Sequence, residues 1–279
     1  MAEAGDGEAW RSLPPLSDGG EGDGDGDGGR LDADWLDLET GGRKGVVLLV
    51  LGSFNPPHEW HARLPGVVAE ALKRPSERFP NGAHVVGAFL SPVHDGYGKP
   101  GLEKAEHRIA MARIAVADKP GVAVDTWEAT RPQHQRSLAV ASSLHRRVGR
   151  VARAHGAAEA PAVVIACGSD LVKSMATPGH WRPEDVEALT GAAHGVVAVL
   201  RAGAETVDAA LSQAARCPWL ASAVRTGGLR FVDSGEASSA SVSSTVVRAL
   251  LATGGDTAGV LPPGVRAYVD ANRLYRRPA

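Results

Sequence analysis

Residues 45–52, GVVLLVLG, form a continuous aliphatic run of strand length that ends on a glycine. A run this short and this apolar, with no polar alternation, suits a strand buried on both faces. Such a strand needs a covering layer on each side. The pattern recurs at residues 83–90 (AHVVGAFL), 122–126 (VAVDT), 162–167 (AVVIAC), 195–200 (GVVAVL) and 229–232 (LRFV). Helix-like stretches separate these runs, at residues 59–72, 104–117, 137–154, 184–189, 205–214, 244–251 and 264–272. Ala105, Ile109, Ala112 and Val116 recur at the spacing of one helical face. Strands alternating with helices require crossover connections and a parallel sheet. The expectation is one α/β domain over residues 45–279, a doubly wound parallel sheet. Its ligands should lie beyond the carboxyl ends of the strands.

Charge is unevenly spread. The chain of 279 residues holds 30 Lys plus Arg and 32 Asp plus Glu. Residues 1–40 hold twelve of the acids and only two arginines, so the body is basic and the beginning acidic. A net charge of -2 argues against a nucleic-acid partner, while the basic body leaves room for a small polyanion. Two cysteines, Cys167 and Cys217, cannot build a disulfide scaffold, which points to a reducing compartment. No apolar run approaches the ~20 residues that span a bilayer, so no membrane partner is expected. The opening MAEAGDGEAW resembles neither a secretory signal nor a transit peptide. Cytoplasm or nucleus is the expected location.

The acidic segment, residues 1–44, is rich in Asp and Gly and has little apolar surface to offset its ordering entropy. It is expected to be a disordered tail. Asp23, Asp25, Asp27, Gly28 and Asp34 mimic part of a calcium-loop spacing, but an Asp-Gly repeat produces that spacing by itself. Residues 31–38, with Trp35, either dock on the body or on a partner, or belong to the disordered end.

The segment LGSFNPPHEWH joins the first strand to the first helix. Gly52 permits a sharp turn and close approach of a ligand. Ser53 and the amides after it can donate to phosphate oxygens. His58 and His61 lie three residues apart at a helix start, where both rings can face one side and the helix adds partial positive charge. The glycine fingerprint of dinucleotide folds and the lysine of a phosphate loop are both missing. A zinc pair or ordinary turn histidines are the alternatives.

Four later segments each follow a strand or open a helix. SPVHDGYGKPGL (residues 91–102) holds Lys99. VDTWEA (residues 124–129) presents Thr126, Trp127 and Glu128. CGSDLVKSMATPGHW (residues 167–181) presents Gly168, Asp170 and Trp181. SVSSTVVR (residues 241–248) offers Ser243 or Ser244 as a cap, with Thr245 and Arg248 following. Read without further context, the tryptophans suit a core, Asp170 a cap and Lys99 an exposed loop.

In this order and spacing, GSFNP with His61, SPV-D-Y, D-WE, CG-D, P-W and SST--R resemble the eukaryotic type of nicotinamide mononucleotide adenylyltransferase. That family lies within the nucleotidylyltransferase superfamily. The likeness runs from about Val46 to Tyr275 and includes the closing LYRR. It implies a Rossmann-like sheet and adenylyl transfer from ATP to nicotinamide mononucleotide, and to its nicotinic acid form. The products would be NAD, or its acid form, and pyrophosphate. It implies direct in-line displacement with Mg2+ accompanying ATP and no metal ligand from the protein.

The resemblance also assigns roles. His61, supported by His58, and Arg248 would be the catalytic groups. Gly52, Ser53, Phe54, Lys99, Thr126, Trp127, Glu128 and Trp181 would take the mononucleotide. A Trp face attracts a cationic pyridinium, which makes Trp127 and Trp181 sound ring partners. His61, Gly168, Asp170, Ser244, Thr245 and Arg248 would take ATP. The sequence departs from the family at His58, often threonine there, at His180, usually apolar, and at Val246, often lysine. Another nucleotidylyltransferase, or a nucleotide-binding chaperone-like protein without turnover, is the alternative function. A homo-oligomer is compatible with the sequence.

Overall fold

The computed structural model describes residues 36–200, 206–234 and 243–276. The acidic segment up to residue 35, with its calcium-like spacing, lies outside the described residues. So do the expected helix start at residue 205 and the opening of SVSSTVVR.

Six parallel strands form one sheet in the order β3-β2-β1-β4-β5-β6. They are β1 (Lys44–Gly52), β2 (Ala83–Pro92), β3 (Val122–Val124), β4 (Ala162–Gly168), β5 (His194–Leu200) and β6 (Leu229–Asp233). Each coincides with one of the six aliphatic runs. Alternate side chains of β1 explain why its sequence has no polar residue after Lys44. Val46, Leu48 and Val50 enter one core with α1 (Glu59–Leu72), while Val47 and Leu49 enter another with α3 (Ser137–Ala154).

β3 stops at Val124, two residues short of the aliphatic pattern. Asp125 accounts for this. Its carboxylate accepts from the Trp127 N–H at 3.2 Å and from Arg147 Nη2 at 2.8 Å, a local turn that competes with the ladder.

The remaining helices are α2 (Ala105–Val116), α4 (Ser169–Ala176), α5 (Pro183–Leu189), α6 (Val207–Ala215), α7 (Pro218–Arg225), α8 (Ser244–Thr253) and α9 (Pro263–Ala271). α4 and α7 were not expected, although each has eight residues, one more than α5. α7 did carry a signal in Pro218 at its first position. Met111 and Ala115 of α2 meet Val247 of α8 and Val265 and Val269 of α9 in a third apolar cluster. That cluster brings the carboxyl-terminal helices back beside the first strand's loop.

Ahead of β1, Leu36 and Leu38 pack on the core, and the Asp37 N–H donates to the Val86 carbonyl at 2.8 Å. The chain winds outward from β1 in one direction through β2 and β3, then in the other through β4 to β6. The crevice between the carboxyl ends of β1 and β4 is therefore the topological switch point.

Candidate active site

Gly52 ends β1 at this crevice, and Gly168 ends β4 beside it. The two glycines work differently. A Cβ on Gly52 would lie 3.2 Å from the Phe54 ring, so the missing side chain lets that ring fold inward under the loop. Phe54 is 1% exposed and has φ of +46°, an unusual backbone for a bulky residue. Its ring therefore supports the loop, and only its backbone can face a substrate. A Cβ on Gly168 would meet nothing within 4 Å. That open space lies directly before the amino end of α4, where Ser169 is buried and Asp170 is exposed in the first turn.

Asn55, fully buried, ties the loop to distant segments. Its Nδ2 donates to the Gly101 carbonyl at 2.7 Å, and its Oδ1 accepts from the Glu103 N–H at 3.1 Å and the Tyr275 hydroxyl at 2.8 Å. Burial raises the pKa of that hydroxyl, which keeps it a donor. Arg248 Nη1 donates to the Asn55 carbonyl at 2.7 Å, and Ser244 Oγ to the Pro56 carbonyl at 2.9 Å. The Asn55–Pro56 peptide is cis. Arg108, 0% exposed, completes the support. It donates to the carbonyls of Ser53 (3.1 Å), Val93 (2.6 Å) and Glu103 (2.8 Å) and to Asp95 Oδ1 (2.8 Å).

The loop delivers two histidines. Their rings stack with centroids 3.8 Å apart, and the Phe54 ring meets His61 edge-on at 5.1 Å. The His58 N–H donates to His61 Nδ1 at 3.1 Å. That contact fixes Nδ1 as an acceptor, so the proton of neutral His61 sits on Nε2. Burial, then His58, then the charge of Lys99 hold the His61 pKa well below its ordinary value. His61 is thus a neutral donor at neutral pH, with exposed Lys99 near enough to act on it. Among the described residues no group of three or more His, Cys, Asp or Glu gathers to hold a metal, so the zinc reading finds no further ligands.

Ser243, rather than Ser244, caps α8: its Oγ accepts from the Val246 N–H at 3.3 Å. Ser244 is thereby directed at the histidine loop. Thr245 is exposed, and its Oγ1 accepts from Arg248 Nη2 at 3.3 Å. The other face of the sheet holds the tryptophans. Trp127 is 8% exposed, with the Arg131 guanidinium 4.9 Å from its ring centre. Trp181 is half-buried and donates from Nε1 to Ser174 Oγ at 3.0 Å. Both lie on the same apolar cluster. Thr126 is half-buried beside them. Glu128 is 3% exposed, within 3.5 Å of the His94 N–H and of His134 Nδ1; burial raises its pKa to about 7.

His61, His58, Ser244, Arg248 and Lys99 thus gather around one loop, with Gly168 and Asp170 on the neighbouring strand and helix. Asn55, Arg108 and Tyr275 join the residues that the sequence singles out. Asn55 lies inside the quoted GSFNP and Tyr275 inside LYRR, so each was visible as a motif letter without a role. Arg108 gave no signal, because a helical arginine reads as solvent-facing.

The chain is similar to two curated plant proteins, each called nicotinamide/nicotinic acid mononucleotide adenylyltransferase. The one from Oryza sativa subsp. japonica is 38% identical over 164 residues, covering 58% of this chain and 62% of the relative. The one from Arabidopsis thaliana is 37% identical over 158 residues, covering 57% and 63%. The chain thus spans less than two thirds of these relatives' lengths. A solved structure of Plasmodium falciparum nicotinic acid mononucleotide adenylyltransferase complexed with NaAD superposes with a TM-score of 0.55 at 15% identity. It covers 83% of this chain and 97% of that one, a likeness of fold. A family model described as cytidylyltransferase-like matches residues 49–249, from β1 through α8, and the chain belongs to that family.

Proposed function

We propose that the protein transfers the adenylyl group of ATP to nicotinamide mononucleotide, and to its nicotinic acid form. A phosphate oxygen of the mononucleotide attacks the α-phosphorus of ATP. The bond from that phosphorus to the bridging oxygen breaks, and pyrophosphate leaves with the electron pair. NAD or its acid form is the other product. The names of the plant relatives support the substrate pair, and the sheet's switch point supports the location.

The observation that carries this reading is the fixed tautomer of His61. In-line displacement needs no protein nucleophile; it needs two anions brought together and the charge on the transferring group stabilised. A neutral imidazole with its proton on Nε2 donates to a phosphate oxygen without itself needing to ionise. Lys99 and Arg248 supply positive charge on either side, and Gly168 leaves room for ATP at the start of α4. Trp127 and Trp181 wall the pyridine end, with Thr126 beside them. Glu128 contributes from beneath the surface.

Mg2+ fits this site as a companion of the ATP phosphates. The groups gathered there are histidine, lysine, arginine and serine with one carboxylate, Asp170, too few for a carboxylate cage, and Mg2+ is commonly held by substrate phosphates. When bound it would neutralise phosphate charge. Two buried free cysteines support a proposed cytoplasmic or nuclear location. Homo-oligomerisation is part of the same proposal.

The test is incubation with ATP, Mg2+ and nicotinamide mononucleotide. NAD and pyrophosphate should form in equal amounts. A folded protein that binds ATP and forms no NAD would overturn the reading in favour of another acceptor or a binding role.

A further inference from the structure

A cavity of about 890 Å³ lies at the opposite end of the sheet from the crevice. Its walls include Lys44 and Ala162 at the amino ends of β1 and β4, the segment before β2, the end of α5 and one side of α7. That volume is in the range of small-molecule sites. The proposed reaction makes no use of it, because its substrates belong beyond the carboxyl ends of the strands.

The lining has two chemical parts. Phe79, Ala223 and Trp219 provide an apolar and aromatic surface, while Arg43, Lys44 and Arg78 bring positive charge opposed by Glu187. Arg78 is a fixed charge. Its Nη2 donates to the carbonyls of Gly191, Ala192 and His194 at 2.9, 3.0 and 2.6 Å, and its guanidinium lies 5.5 Å from the Phe79 ring centre. Arg43 Nη2 is 3.3 Å from His84 Nδ1. Lys44 pairs with Glu159, and both side chains are exposed. Exposed pairs of this kind contribute little, so the ammonium can turn to another anion at small cost.

Trp219 connects this cavity to the other end of the molecule. Its Nε1 donates to the Met175 carbonyl at 2.8 Å, in the last turn of α4. The adjacent Ser174 accepts from Trp181 Nε1 at 3.0 Å. One wall residue of the cavity and one wall residue of the crevice therefore hang on neighbouring positions of the same short helix, whose amino end carries Asp170.

We propose that this cavity is a second ligand site for a flat organic anion, with its ring on Trp219 and its acidic group at Arg43 and Lys44, and that occupancy is felt at the crevice through α4. Only the coupling rests on the proposed reaction; the site does not.

The test titrates the full chain with 1-anilinonaphthalene-8-sulfonate, which joins flat rings to a permanent negative charge. Saturable binding of one molecule per chain is expected. Ser222→Trp, on the exposed cavity side of α7, should weaken it at least about tenfold by filling the space. Lys44→Glu should weaken it about threefold to tenfold by reversing one rim charge. Both variants should keep the wild-type thermal midpoint, and if Ser222→Trp does not, Lys44→Glu decides. His61→Ala should bind the probe as the wild type does. Inorganic phosphate should not displace the probe. Undiminished binding in the well-folded variants, loss of binding in His61→Ala, displacement by phosphate alone, or the lack of saturation would each overturn the site. If the probe leaves the KM for ATP unchanged in an active enzyme, the coupling is overturned. Absence of turnover would leave the titration intact and refute only the reaction.

Discussion

His61 owes its state to His58 in its own turn and Lys99 from the segment after β2: the His58 N–H fixes its tautomer, and burial with the charges of His58 and Lys99 keeps it neutral. His61→Ala is therefore expected to lower kcat by roughly 10²–10³, the usual loss of a donor aimed at developing charge. Steady-state kinetics with an unchanged melting curve checks this. His194 gives a prediction about stability. Burial, then His145 and Arg78, lower its pKa from 6.5 to about 4. The unfolded chain then binds a proton that the folded chain refuses between pH 6.5 and 4. Stability should be complete above pH 6.5 and fall as the pH drops towards 4, by up to ~3 kcal/mol. Urea unfolding at several pH values should show this slope, and His194→Asn should flatten it.

At the scale of elements, buried charges hold the loops in register. Arg108 joins the loops after β1 and β2 to the start of α2 through four donated bonds. Arg108→Met strands three carbonyls and leaves half-exposed Asp95 to water, and should cost about 3 kcal/mol of stability. Arg108→Lys should recover part of that stability without the fork geometry, and should still raise KM for both substrates. Thermal melts and kinetics on the pair separate the two effects. The Asp125–Arg147 pair, with both side chains 3% exposed, fixes the turn into Trp127. Arg147→Met alone should destabilise by about 3–5 kcal/mol, and adding Asp125→Leu should recover part of the loss. A double-mutant cycle reads this directly. These elements also show what sequence conveys. The strands were legible where aliphatic runs are continuous, as in β1, β4 and β5, and the runs of β3 and β6 still showed beside Asp125 and Arg230. The turn at Asp125 was not, since its hydrogen bonds are local; α4 starts at Ser169 directly after β4 ends at Gly168, with no break to mark it, and α7 offered only Pro218. The roles of Asn55 and Arg108 were invisible because they are defined by partners on other loops, at Gly101, Glu103 and Tyr275 for Asn55 and at Ser53, Val93 and Asp95 for Arg108.

At the scale of the whole molecule, the sheet order brings loops from β1, β2, β3 and β4 and the start of α8 towards one crevice. The motif order in the sequence matched these strand ends, which is why the candidate residues could be named before their geometry was known. Their orientation could not: Phe54 and Glu128 turned inward, and Ser243 took the capping role. The central claim is that this crevice holds two phosphorylated molecules end to end. A crystal structure with the dinucleotide product tests it most directly. The pyrophosphate should lie beside His61 Nε2, within reach of Arg248, and the pyridine ring between Trp127 and Trp181. A dinucleotide bound elsewhere, with His61 and Arg248 untouched, would contradict it.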